Sequence, residues 1–158
     1  MKRITALIFI LLMLQAASKG QPYKTSGGIR AGFPFGLSLK HFIRGNNALE
    51  FVAGANLRGF VAEAIFENEY RIHSDSRVFW YWGAGLHGGY VDSERNSLID
   101  IKEPYKGAVV GADIGVGFEF CLKRKPLNFA FDLFPSINLA GYTGWNGINS
   151  AVSVRYVF

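Results

Sequence analysis

From residue 21 onward, apolar and polar side chains alternate with a period of two, the pattern of strands that show one face to an apolar phase. Val110, Ala112, Ile114, Val116, Phe118 and Phe120 alternate with Gly111, Asp113, Gly115, Gly117, Glu119 and Cys121, and this is the cleanest run. The same parity marks strands over Leu49–Arg58, Phe60–Glu67, Val78–Tyr90, Leu127–Leu139 and Ala151–Phe158. Two shorter strands, Ser26–Phe33 and Gly36–Ile43, open the set and bring the total to eight. No segment carries a helical period.

Turn chemistry separates the strands. Pro34 and Gly36, Gly59, the stretch 92–106 and the glycines of 141–147 form one set of connections. The polar segments 44–47, 72–77 and 123–126 form the other. With an even number of strands both chain termini fall on the side of the second set, and the longest connection falls opposite. Eight strands of roughly ten residues each match the 9 to 11 residues that a tilted strand needs to cross a bilayer. Pro135 interrupts the seventh strand and predicts a bulge or local break there, since proline cannot donate to the ladder.

Period two does not say which face is inside, but the composition of the faces does. The polar face carries many glycines together with Arg30, Lys40, Glu50, Arg58, Glu63, Glu67, Asp113, Glu119, Asp132 and Arg155, so both charge signs are present and can pair. The other face is aromatic and aliphatic, too large an apolar patch for a protein in water. A narrow eight-stranded barrel has an interior just wide enough for side chains, and closure removes the unpaired edges that hydrocarbon does not tolerate. The expected fold is therefore all-β, an eight-stranded antiparallel up-and-down transmembrane barrel with its charges inside. A soluble eight-stranded barrel that binds an apolar ligand is the alternative arrangement of the same pattern.

Composition agrees with this. The chain has 158 residues, 49% hydrophobic, 15% aromatic and 18% charged, with a mean hydropathy of +0.14. Disorder and collagen-like structure are excluded, and one cysteine cannot close an intrachain bridge. Lys2 and Arg3 precede the apolar run 4–14 and then the small residues Ala16, Ala17, Ser18 and Gly20, the order of a secretory signal peptide. Residues 1–20 are read as that signal and 21–158 as the barrel domain, with cleavage after Ser18 or, favoured, after Gly20. Removing 1–20 takes three of the 17 cations and none of the 12 acids, leaving a net charge of +2. Nucleic acid is not expected as a partner.

These features, with the final strand Val152-Ser153-Val154-Arg155-Tyr156-Val157-Phe158, resemble the small outer-membrane β-barrel family of Gram-negative bacteria, the OmpA/OmpX-like class. The Gly-rich strand 111–120 and the segment 131–136 are similar to parts of its members. The resemblance implies outer-membrane lipid as the surroundings. It also implies export through the periplasm and insertion by the barrel-assembly machinery, which reads Val154, Tyr156 and Phe158 as a C-terminal signal. Members of the family differ widely in activity. A structural or surface-interaction role is expected, with the lumen plugged by side chains, and a lipid-modifying enzyme is the alternative. An extracellular ligand would meet the outward connections, where Asp92, Glu94, Tyr142 and Trp145 are the candidate contacts.

Candidate chemistry is sparse. His41, His73 and His87 show no metal-ligand spacing, and no metal or cofactor is expected. Ser38 and His41 have opposite parity, while Ser136 and Ser153 have no histidine nearby in sequence. His87 reads as an interior hydrogen-bonding residue, Asp132 as an ion-pair partner for Arg30 or Arg155, and Cys121 as inert.

Overall fold

The computed structural model describes residues 23–56, 59–73, 77–92 and 105–158. Residues 1–20, read above as a signal peptide, and Arg58 and Glu94 lie outside the described residues. Eight strands follow one another: β1 (Thr25–Gly32), β2 (Phe35–Arg44), β3 (Asn47–Asn56), β4 (Gly59–Arg71), β5 (Val78–Asp92), β6 (Lys106–Cys121), β7 (Leu127–Ala140) and β8 (Gly144–Val157). Each pairs antiparallel with the next, and β8 returns to β1 through pairs such as Ser26 with Val157 and Gly32 with Ala151, closing the barrel. Among the described residues there is no helix.

One rim of the barrel, the turn end, holds residues 23 and 158, the connections 45–46 and 122–126, and the facing ends of β4 and β5. The other, the loop end, holds 33–34 and 141–143 with the facing ends of β3 and β4 and of β5 and β6. The β2–β3 connection is only Gly45 and Asn46, and Gly45 supplies the left-handed backbone (φ 55°) that so tight a hairpin requires.

Several strands outrun the expected spans. β6 begins at Lys106 and not Val110, and β8 begins at Gly144 and not Ala151. Trp145 therefore belongs to a strand, and the last loop-end connection shrinks to 141–143. Polar and glycine-rich ends disguised these extensions: residues continue a ladder after their side chains have stopped alternating, because backbone groups make the pairing. β8 reaches seven residues past the end of β1, so its stretch 144–150 pairs with β7 alone. At Pro135 the ladder is disturbed as expected. The β7–β8 register shifts between Ser136 and Ile137, leaving Asn146 as the extra residue on β8.

The two faces separate cleanly. Outward, Ile29, Leu37, Phe51, Phe60, Leu86, Ile114, Phe118, Phe131 and Val152 are exposed. Inward lie the described charges of the polar face, each no more than 4% exposed. The lumen also holds apolar side chains, among them Ile65, Phe79, Tyr81, Cys121 and Phe134, which share the parity of the charged residues in the alternating pattern. Tyr23, Phe42, Ala48, Phe79 and Cys121 cluster at the turn end, and Ile65, Tyr81 and Phe134 form a second cluster.

Candidate functional site

The chemistry of the chain is concentrated in the lumen. Strand parity turns every second residue inward, and staggered registers bring residues distant in sequence to one level. Lys40 of β2 points its ammonium at Glu67 (2.8 Å) and Glu69 of β4 and at Glu119 of β6 (3.2 Å). It also lies 4.5 Å from the centre of the Tyr81 ring, a placement that ring electrostatics favour. Arg155 of β8 reaches Glu50 and Glu119 (3.3 Å), and its Nε donates to Ser38 Oγ at 2.8 Å. These groups form one continuous cluster.

A separate fork joins Arg30 of β1 to Asp132 of β7, with Nη1 and Nη2 donating at 2.8 and 2.6 Å. Such bidentate contacts are the strongest form of this pair. Nearer the loop end, His87 bridges Asp113 through Nδ1 and the Asn138 amide through Nε2, each at 2.9 Å. Glu63 accepts from Asn149 at 3.1 Å.

Among the described residues seven buried carboxylates face three buried Lys and Arg cations, so ion pairing alone does not satisfy them. Neutral donors take up part of the difference. Tyr23 donates to Glu119 (2.5 Å), Asn128 to Glu119 (3.3 Å), Ser38 to Glu50 (2.6 Å) and Tyr81 to Asp132 (3.4 Å). Burial pushes the pKa of the Tyr23 phenol well above its ordinary value, which keeps its proton available for this bond.

Tyr23, Ser38, Glu69, Tyr81 and Asn128 were absent from the charged set read from the sequence. For Glu69 the signal is present: it continues the parity of Glu63 and Glu67, and β4 runs to Arg71, four residues beyond the expected end.

The inward glycines make room for rings. A Cβ at Gly117 would stand 2.3 Å from Tyr81 Cζ, and one at Gly111 would stand 2.4 Å from His87 Cε1. A lumenal pocket between Glu63, His87, Asn146 and Asn149 measures only about 20 Å³, room for a single water. A much larger groove of about 570 Å³ lies on the outer wall, bordered by Ile29, Leu37, Leu39, Phe51, Ala53 and Ala62.

The remaining candidates are dispersed. Asp92 ends β5 and pairs with Lys106 at 2.8 Å, while Tyr142 stands in the 141–143 connection with its ring 6.2 Å from that of Tyr105. Trp145 points outward from β8, 61% exposed, and Val154, Tyr156 and Phe158 are likewise exposed on the outer wall. Facing strands bring Thr25 Oγ1 to 2.8 Å from His41 Nδ1, a pair invisible to any search along the sequence.

The barrel has a solved counterpart. Its fold is similar to the crystal structure of the N-terminal beta-barrel domain of Pseudomonas aeruginosa OprF, with a TM-score of 0.60 over 89% of this chain and 100% of that one. Identity is 16%, so the likeness is one of fold. No family model matches the chain, and no curated protein matches it.

Proposed function

We propose that this chain is an integral outer-membrane β-barrel of a Gram-negative bacterium, with a structural or surface-interaction role and a lumen closed to solutes. The observation that carries this reading is the direction of the two faces on a closed barrel. Large apolar side chains cover the outside of every strand and the described charges of the polar face are buried within. Lipid is the solvent that fits the first, and closure satisfies the backbone that lipid would leave unpaired. A soluble carrier of an apolar ligand needs the opposite facing. On this reading residues 1–20 direct export through the periplasm, and Val154, Tyr156 and Phe158 engage the barrel-assembly machinery. The loop end is the surface open to an extracellular ligand.

Closure of the lumen is supported by the ionic cluster around Lys40 and Arg155, the Arg30–Asp132 fork and the ring-filled glycine positions. Open porins use about 16 to 18 strands, and eight enclose only the room their side chains fill.

Cell fractionation with gel electrophoresis in SDS, with and without boiling, tests the membrane assignment. The unboiled protein should come from the outer-membrane fraction and migrate apart from its boiled form; recovery in the soluble periplasm would overturn the reading. In planar bilayers the purified barrel should pass little or no current, and large steady conductance steps would make solute passage a function. Overproduction should leave the mass spectra of membrane lipids unchanged; new lipid species that vanish on substituting His41 would favour the enzyme.

A further inference from the structure

Charge is unequally shared between the two rims. At the turn end Lys24, Arg44, Lys123, Arg124 and Lys125 are exposed, and Arg77 is half-buried with Nη1 donating to the Leu122 carbonyl at 3.1 Å. Among the described residues no acidic side chain is exposed at this rim. The acids nearest to it, Glu69 and Glu119, are turned inward and occupied with Lys40. Sequence adds one acid there, Asp75, which lies outside the described residues. At the loop end Asp92 is matched by Lys106, and the stretch 93–104 carries the acids Glu94, Asp100 and Glu103 beside Arg95 and Lys102. One rim is therefore strongly cationic and the other balanced.

The position of these cations narrows the partner. Arg44 follows Ile43 directly, and Lys123 stands three residues beyond Phe120; both apolar side chains are exposed on the outer wall, as are Ile72, Tyr156 and Phe158. The stacked rings of Tyr70 and Trp80, 5.2 Å apart, lie at the same level. Aromatic rings and long cationic side chains just past an apolar wall mark the height of lipid headgroups. The cations also surround the barrel, before β1, at the end of β2, before β5 and between β6 and β7. A folded acidic protein would cover one flank, whereas a leaflet meets the whole circumference.

We infer that the turn-end rim selects anionic phospholipid headgroups, of the phosphatidylglycerol kind, in the leaflet on that side. The inference rests on the membrane reading above. Each cation near an anionic surface contributes an attraction that salt screens, and a ring of them should gather a shell of such lipids.

The test uses the whole barrel in phosphatidylcholine vesicles carrying a minor fraction of spin-labelled phosphatidylglycerol or spin-labelled phosphatidylcholine. The motionally restricted component of the electron spin resonance spectrum reports how strongly each lipid associates. Phosphatidylglycerol should be preferred about fivefold, the effect of roughly one fully engaged cation. The preference should vanish in about 1 M salt and lose most of its size in the variant R44Q/K123Q/R124Q/K125Q, which keeps Lys24 and Arg77 and whose substitutions lie at or beyond strand ends and leave the lumen intact. Equal association of the two lipids with an inserted barrel overturns the inference and leaves the membrane reading standing. The same holds if soluble polyglutamate binds the rim while the lipids are not discriminated, since the partner is then an acidic polymer. A barrel that enters neither kind of vesicle overturns both.

Discussion

The guanidinium of Arg155 is enclosed by acceptors from three strands, Glu50 of β3, Glu119 of β6 and Ser38 of β2. Removing it as Arg155→Met would leave buried Glu50 with no paired cation and Glu119 with Lys40 alone, and an uncompensated buried charge costs about 3–5 kcal/mol. Urea unfolding of the reconstituted barrel should show a loss of that size. Arg155→Lys should recover only part of it, because an ammonium lacks the planar fork that serves several acceptors at once. Gly117 tests the same interior through shape. Gly117→Ala pushes a methyl into the Tyr81 ring, and overpacking of this kind costs about 1–3 kcal/mol. The double variant with Tyr81→Ala should be less destabilised than the sum of the two single changes, and a strictly additive cycle would mean that the two positions do not meet.

Strands translate such local facts into facing. Ile114 is 64% exposed on the outer wall midway along β6, whereas its neighbour Asp113 is buried against His87. Ile114→Arg should therefore cost about 2–4 kcal/mol in a bilayer, measured by urea titration in vesicles, with a smaller loss for the same change at Phe120 near the rim. Facing was legible in the sequence because one residue's shift exchanges the faces, so each alternating run carries its own internal check. Strand ends were not, since the outer turns of β6 and β8 are built from Lys106, Gly107, Gly144 and Asn146, whose side chains carry no alternation. The partners of each lumenal charge were equally hidden. Lys40 meets Glu69 and Glu119, 29 and 79 residues away, through a stagger of strands that no local pattern encodes.

At the scale of the whole barrel, the seam joins the two ends of the chain. Val157 faces Ser26, and the Phe158 amide donates to the Thr25 carbonyl at 2.9 Å. The connection 45–46, by contrast, bears only a two-residue hairpin. A circular permutant of 23–158, joined by a short linker and opened between Gly45 and Asn46, should refold in detergent and keep a migration in SDS that changes on boiling. Failure of the permutant to fold would overturn this and show that the β2–β3 hairpin must form before the long-range pairing that closes the barrel.

If the barrel sits in the membrane proposed above, the overhang of β8 fixes a waterline. Between Gly144 and Asn149 the backbone groups turned toward β1 find no strand across from them, because β1 stops at Gly32 opposite Ala151. Hydrocarbon would leave those groups unsatisfied, so this part of the wall must stand in water or among headgroups. The draught of the barrel at its seam is thereby set by hydrogen bonding as well as by greasiness: immersion ends near Ser150, whose carbonyl accepts from Phe33 at 2.9 Å. Trp145 and Ile148, exposed above that mark, then float at the boundary like a Plimsoll line painted in side chains, and a fluorescence depth measurement on Trp145 would read the level directly.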